Sequence, residues 1–145
     1  MPSAALAKLV EERAPHRPWC AETKSGARVR PLATALLAPY MQLNPPAAWA
    51  WLVLDIDRLG GALAWERGSL PPPTYVAANR ENGHAHIGYA LASPVCTTQA
   101  ARLLPLRYLA SVSQAYIDAA GADGAFRGPL AKNPLHERWR VWEPA

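Results

Sequence analysis

Apolar and polar positions follow several different periods along this 145-residue chain. From Ala4 to Arg13, Leu6, Leu9 and Val10 fall on one side of a helix, which Pro15 and Pro18 end. Residues 20–31 read as a polar, basic connection carrying Lys24, Arg28 and Arg30, and Ala33 to Leu37 as a short helical piece. The stretch from Pro39 to Pro46 is predicted extended, because proline disfavours helix at its own position and the one before. Trp51-Leu52-Val53-Leu54-Asp55-Ile56-Asp57 is a short apolar run, β-branched at Val53 and Ile56 and closed by Gly60-Gly61, which predicts a buried strand. Leu63 to Arg67 suits one or two helical turns, and Leu70-Pro71-Pro72-Pro73 a rigid loop. Thr74 to Ala78 and His84 to Leu91 predict two more strands, joined by the turn Asn79-Arg80-Glu81-Asn82-Gly83 into a hairpin beside the first. From Thr97 to Ala120 the period becomes helical, with Leu103, Leu106, Leu109, Ala110, Val112, Tyr116 and Ile117 on one face. Thr97 is placed to cap this helix and Pro105 to interrupt or kink it. Gly121 to Gly128 reads as a loop, and the tail from Pro129 is basic and contains tryptophan. Strands mixed with flanking helices predict the α+β class, an α/β-type mixed sheet, in one domain over residues 1–145.

Composition narrows this picture. Half of the residues are hydrophobic, which excludes a disordered chain and supplies a core. Fifteen prolines favour many short elements. A formal charge of +4 permits a nucleic-acid partner without requiring one. Cys20 and Cys96 have no metal-binding spacing. The N-terminus lacks a charged region followed by a long apolar run, and no uninterrupted stretch reaches membrane-spanning length. The expectation is a cytoplasmic protein with free thiols and no membrane partner.

The candidate chemistry starts at the end of the first strand. Residues i and i+2 of a strand point the same way, so Asp55 and Asp57 share a face. Two carboxylates that close repel unless a cation lies between them, and hard oxygen ligands suit Mg²⁺ or Mn²⁺. Taken alone, D-x-D describes an aspartate-rich strand end equally well. His84 and His86 also share a strand face, and alone they read as two strand histidines with ordinary hydrogen bonds. Together the two strands describe a cation site beside phosphate-binding groups, which nucleotidyl transfer requires. The tail adds Lys132, His136 and Arg138. Lys132 could contact a triphosphate or a template backbone, and a solvated surface loop accounts for it equally well.

Five segments in series carry a resemblance: Arg30-Pro31-Leu32-Ala33-Thr34-Ala35; Tyr40-Met41-Gln42-Leu43-Asn44; Leu52 to Asp57; Asn82-Gly83-His84-Ala85-His86-Ile87-Gly88-Tyr89-Ala90-Leu91; and Lys132-Asn133-Pro134-Leu135-His136-Glu137-Arg138-Trp139. From about Pro18 to Val141 the chain resembles the plasmid replicase family, replication initiators of theta-replicating plasmids and some phages. That family is similar to the archaeo-eukaryotic primase and primase-polymerase superfamily. The resemblance implies an RNA-recognition-like antiparallel sheet flanked by helices. It implies that Asp55 and Asp57 are metal-binding acids and that His86, with His84 just before it, binds nucleotide. It also implies a third acid from later in the chain, for which Asp123 is the candidate and Asp118 the reserve. Lys132 and Asn133 match the tail motif and are expected at the nucleotide. The implied activity is synthesis of a short primer, with Mg²⁺ or Mn²⁺, from nucleoside triphosphates on single-stranded DNA, and a host replicative polymerase is a further expected partner. Family members usually continue into a helical segment and a DNA-binding domain. This chain stops just after the tail motif, so a catalytic domain alone is expected, without origin recognition.

Two rival readings stand beside this one. A rolling-circle nicking endonuclease would use His84-Ala85-His86 for a metal and Tyr116 or Tyr108 as nucleophile, but leaves the aspartate strand unexplained. A non-catalytic nucleic-acid-binding domain would stack bases on Tyr75, Tyr89 or Trp139, residues that could equally lie in the core.

Overall fold

In the computed structural model, which describes residues 1–98, 101–126 and 128–145, the first element is helix α1 (Ala4–Arg13). Ser3 caps it by accepting the Leu6 N–H at 3.1 Å, and Leu6 and Val10 are buried. Arg13 in its last turn donates to the Ala50 and Leu91 carbonyls, both at 2.7 Å. Next come β1 (Trp19–Ala21) and β2 (Arg28–Val29), paired antiparallel. The sequence predicts a connection here. The segment is a short hairpin whose polar composition conceals the burial of Cys20 and Ala21 alone.

Helix α2 (Leu32–Ala35) leads to β3 (Tyr40–Gln42), inside the stretch predicted extended. The aspartate strand is β4 (Ala48–Ile56), with Asp57 just past its end. A 3₁₀ turn (Gly61–Leu63) and helix α3 (Ala64–Arg67) precede β5 (Tyr75–Asn79) and β6 (Ala85–Cys96), the predicted hairpin. Helix α4 (Leu103–Ala120) follows, then β7 (Leu130–Lys132) and β8 (Trp139–Trp142).

The predicted helix start at Thr97 is not observed. Strand β6 continues to Cys96, and the Thr97 N–H bonds the Ala47 carbonyl at 2.9 Å. Gln99 and Ala100 of the predicted helix, and Arg127 of the predicted loop, lie outside the described residues. Pro105 is the third residue of α4, where an N–H has no intrahelical acceptor, so it sits in the first turn and breaks no bond of the helix.

The strands form two sheets, ordered β2-β1-β3-β7 and β4-β6-β5-β8, and every pairing is antiparallel. The class is α+β. In the larger sheet the order β4-α3-β5-β6-α4-β8 is a β-α-β-β-α-β series. Strand β4 lies at the edge of this sheet yet is buried on both faces over most of its length, which is why it reads as a continuous apolar run. Trp51 and Val53 pack with Leu6, Val10, Met41 and Tyr75 in the core shared with the smaller sheet and α1. Leu52, Leu54 and Ile56 pack with Ile87, Ala64 and Ala120 on the side of α3 and α4. The tail stitches the layers together, since β7 joins one sheet and β8 the other. No helix among the described residues is long and apolar enough to cross a membrane.

Two core positions yield predictions. Gly88 sits opposite Tyr75, and a Cβ at Gly88 would run into the Tyr75 ring. Gly88→Ala is expected to destabilise the protein by at least about 1–3 kcal/mol, read from urea unfolding. The Tyr75 ring also meets Trp51 edge-on at 5.5 Å, while its buried hydroxyl has no hydrogen-bond partner among the described residues. Burial pushes its ionisation well above the usual range, whereas an unfolded tyrosine titrates near about 10. Above that pH the unfolded chain holds fewer protons than the native one, so stability falls as pH rises. Tyr75→Phe is expected to hold or gain about 1 kcal/mol at neutral pH and to lose less stability than the parent at about pH 11.

Candidate functional site

The larger sheet places Asp55 directly opposite His86, and His86 opposite Ala77 on the next strand. Residues in register share a face, and Asp55 lies two residues past Val53, so both groups face the smaller sheet. Asp55 is only 5% exposed and His86 only 2%. Asp57 follows the end of β4 and is exposed. Asp123 arrives from the loop after α4, where its N–H donates to the Asp55 carbonyl at 2.7 Å. One Asp123 carboxylate oxygen accepts the Ala125 N–H at 2.9 Å. Asp55, Asp57 and Asp123 each offer a carboxylate oxygen, and these oxygens lie within 4.8 Å of one another. Asp118 stands apart on α4 and accepts from Gln114 Nε2 at 2.9 Å.

His86 is pinned from behind. Its Nδ1 accepts the Lys132 backbone N–H at 3.0 Å, which leaves the hydrogen of the neutral ring on Nε2. Nε2 lies 3.3 Å from Asp55 Oδ1, a close contact without hydrogen-bond alignment, so Oδ1 is buried with no hydrogen-bond partner among the described residues. Burial lowers the His86 pKa more than Asp55 raises it, and Lys132 lowers it further, so the ring is neutral. Burial would raise the Asp55 carboxyl, but His86, with Lys132 and Lys24, outweighs burial and holds it below its usual value. Burial and Lys24 lower Lys132, against the pull of Asp55 and Asp57. Lys132 is itself only 2% exposed, its ammonium 5.2 Å from the Trp139 ring centre. Positive charge thus acts on Asp55 from two elements, Lys132 on β7 and, through space, Lys24 in the β1–β2 turn. The sequence shows the turn as charged but not where it folds.

Other expected site residues sort by place. His84 Nδ1 lies 3.7 Å from Asp57 Oδ1 at the open edge of the cluster. Asn133 is wholly buried, and its amide is spent on the fold. Nδ2 donates to the Leu36 and Ala38 carbonyls, both at 2.9 Å, and Oδ1 accepts the Leu135 N–H at 3.0 Å. That leaves no amide hydrogen for a nucleotide, so Asn133 is a structural residue of the tail. His136 Nδ1 accepts the Arg138 N–H at 3.0 Å within a turn.

The rival nicking chemistry fits this geometry poorly. His86 has one nitrogen occupied and the other against Asp55, while Tyr116 packs edge-on against Tyr89 at 5.1 Å on the opposite face of the sheet. The proposed stacking platforms are also committed. Tyr75 and Trp139 are buried, and the Tyr89 hydroxyl donates to the Pro71 carbonyl.

A groove of about 700 Å³ lies beneath α4, lined by Asn44, Trp49, Val53, Leu109, Gln114 and Phe126 among others, and by none of the three acids. Phe126, which lines it, lies 5.2 Å from the His86 ring centre. The apolar face of α4 is its visible trace in the sequence. Its other wall comes from the edge of β4 and the segment after β3, which no local pattern joins to α4.

The family model described as Replicase family matches residues 13–145. No curated protein and no solved structure matches the chain. The matched region contains both sheets, the three acids, His84, His86 and the tail. This chain belongs to the Replicase family.

Proposed function

We propose that the chain is a metal-dependent, primase-like nucleotidyltransferase of replication initiation. The observation that carries this reading is the trio of Asp55, Asp57 and Asp123 carboxylates, with oxygens within 4.8 Å of one another, in which Asp55 is buried and its Oδ1 has no hydrogen-bond partner among the described residues. A carboxylate oxygen held inside protein without a donor costs free energy unless a cation meets it. Three clustered carboxylate oxygens, two of them from exposed residues, are hard ligands that would suit Mg²⁺ or Mn²⁺.

When bound, the metal would neutralise triphosphate charge and activate the attacking hydroxyl. The chain's own residues would do the rest. Asp55, Asp57 and Asp123 would hold the ion. Lys132 and Lys24 would supply positive potential for the triphosphate. A 3′-hydroxyl would attack the α-phosphorus, forming a new P–O bond as the α–β phosphoanhydride bond breaks, with pyrophosphate leaving and the hydroxyl proton passing to solvent, while the groove beneath α4 receives nucleotide and template. His86, buried with Nε2 against Asp55, would act by orienting that carboxylate. Its enclosure supports this role over direct contact with a phosphate. His84, at the open edge, is the better placed of the two histidines to meet a phosphate. Single-stranded DNA and nucleoside triphosphates would be the substrates, and a host replicative polymerase would extend the product. Membership of the Replicase family supports a role in replication.

The test is primer synthesis on single-stranded DNA with labelled nucleotides and Mg²⁺ or Mn²⁺. The parent chain is expected to make short products that EDTA abolishes. Asp55→Ala/Asp57→Ala is expected to lower the rate by about a thousandfold or more, matching the several kcal/mol a metal supplies. Unchanged synthesis by the double variant would sink the proposal. A 5′-phosphotyrosyl adduct on nicked DNA, lost in Tyr116→Phe, would favour the nicking reading, and DNA binding that survives EDTA without incorporation would favour the non-catalytic one.

A further inference from the structure

Arg58 follows the aspartate strand directly, yet its guanidinium reaches the far end of α4. Nη1 donates to the Gly121 carbonyl and Nη2 to the Ala120 carbonyl, both at 2.7 Å. The helix ends there in a Schellman-type turn: Gly121 is left-handed at φ 65°, and the Ala122 N–H bonds the Ile117 carbonyl at 2.9 Å. That turn leaves the last carbonyls without intrahelical donors, and a cation beside them complements the helix dipole. Two residues later the Asp123 N–H bonds the Asp55 carbonyl. The chain is therefore tied back to the aspartate strand twice within four residues, once through Arg58 and once through Asp55. Between these ties, Asp123 is delivered to Asp55 and Asp57. Among the described residues its loop has no helix or strand, and Asp123 is otherwise held by turn bonds from the Ala125 and Phe126 N–H groups.

We propose that Arg58 is a positioning residue: by binding the Ala120 and Gly121 carbonyls it fixes the loop that carries Asp123, and so sets the affinity of the acid cluster for a divalent cation. The inference rests on the reading that these acids hold such a cation. Its effect has a distinctive sign. Arg58 is a positive charge close in sequence to Asp57, so on charge alone its removal should tighten cation binding. Loss of positioning weakens it instead.

The experiment measures Mn²⁺ binding to the full chain by the electron paramagnetic resonance of free Mn²⁺, with melting temperature in EDTA as a separate readout of stability. Asp123→Asn is expected to weaken Mn²⁺ binding. Arg58→Ala should weaken it by about 10- to 100-fold, the usual effect of removing a group that orients a ligand. Arg58→Ala added to Asp123→Asn should weaken it no further, because Arg58 acts through Asp123. Arg58→Lys keeps the charge but loses the paired donors. It is expected to weaken binding too, and it is the variant to read if Arg58→Ala fails to fold. Unchanged or tighter binding in the Arg58 variants, with Asp123→Asn still impaired, overturns the role of Arg58 and leaves the acid site standing. An equal loss from Arg58→Ala with and without Asp123 also overturns it, since that effect would not pass through Asp123. Absence of Mn²⁺ binding by the parent chain overturns both this inference and the metal-site reading.

Discussion

Asp55 carries a carboxylate onto a sheet face that elsewhere buries Trp51, Tyr75 and Ala77, and the surrounding structure is arranged around the cost of keeping it there. A lone buried carboxylate would take up a proton. Here His86 stands opposite it in register, Lys132 and Lys24 add positive potential, and together they keep it ionised. His86 does so as a neutral ring, through the positive end of its Nε2–H dipole 3.3 Å from Oδ1, in a tautomer set from behind by a backbone N–H of another sheet. The charge on Asp55 is therefore a property of two sheets meeting.

The tail makes that meeting possible. Strand β7 pairs with β3 in the smaller sheet and also offers the Lys132 N–H to His86 in the larger one. One residue on, Asn133 spends its whole amide on the α2–β3 connection and on Leu135, and the Trp139 Nε1–H bonds the Pro39 carbonyl at 2.7 Å before β8 joins β5. Polar side chains that read as binding groups thus act as seams. A polar residue aligned with a functional motif has two physical fates, and burial with every donor satisfied distinguishes the structural one.

Both D-x-D and H-x-H are split by the ends of their strands. Asp55 and His86 lie within β4 and β6, buried and in register, while Asp57 and His84 lie just outside, exposed or half-exposed. Each pair therefore divides into an inner member that is held and an outer member that faces solvent. This arrangement suits a site where a fixed charge must meet a diffusible ligand.

The order of apolar and turn residues was enough to read strands β4, β5 and β6, the α4 period and the α+β class, because side-chain alternation and turn chemistry are local rules. It was not enough for the β1–β2 hairpin, where only two residues are buried, nor for the start of α4, where β6 runs on past the predicted boundary. The structural fate of Asn133, the reach of Arg58 to α4 and the arrival of Asp123 beside Asp55 were decided only in three dimensions. Each depends on segments dozens of residues apart meeting at the ends of buried strands. Local periodicity specifies which face a side chain takes, and the packing of whole sheets and helices specifies what it meets there.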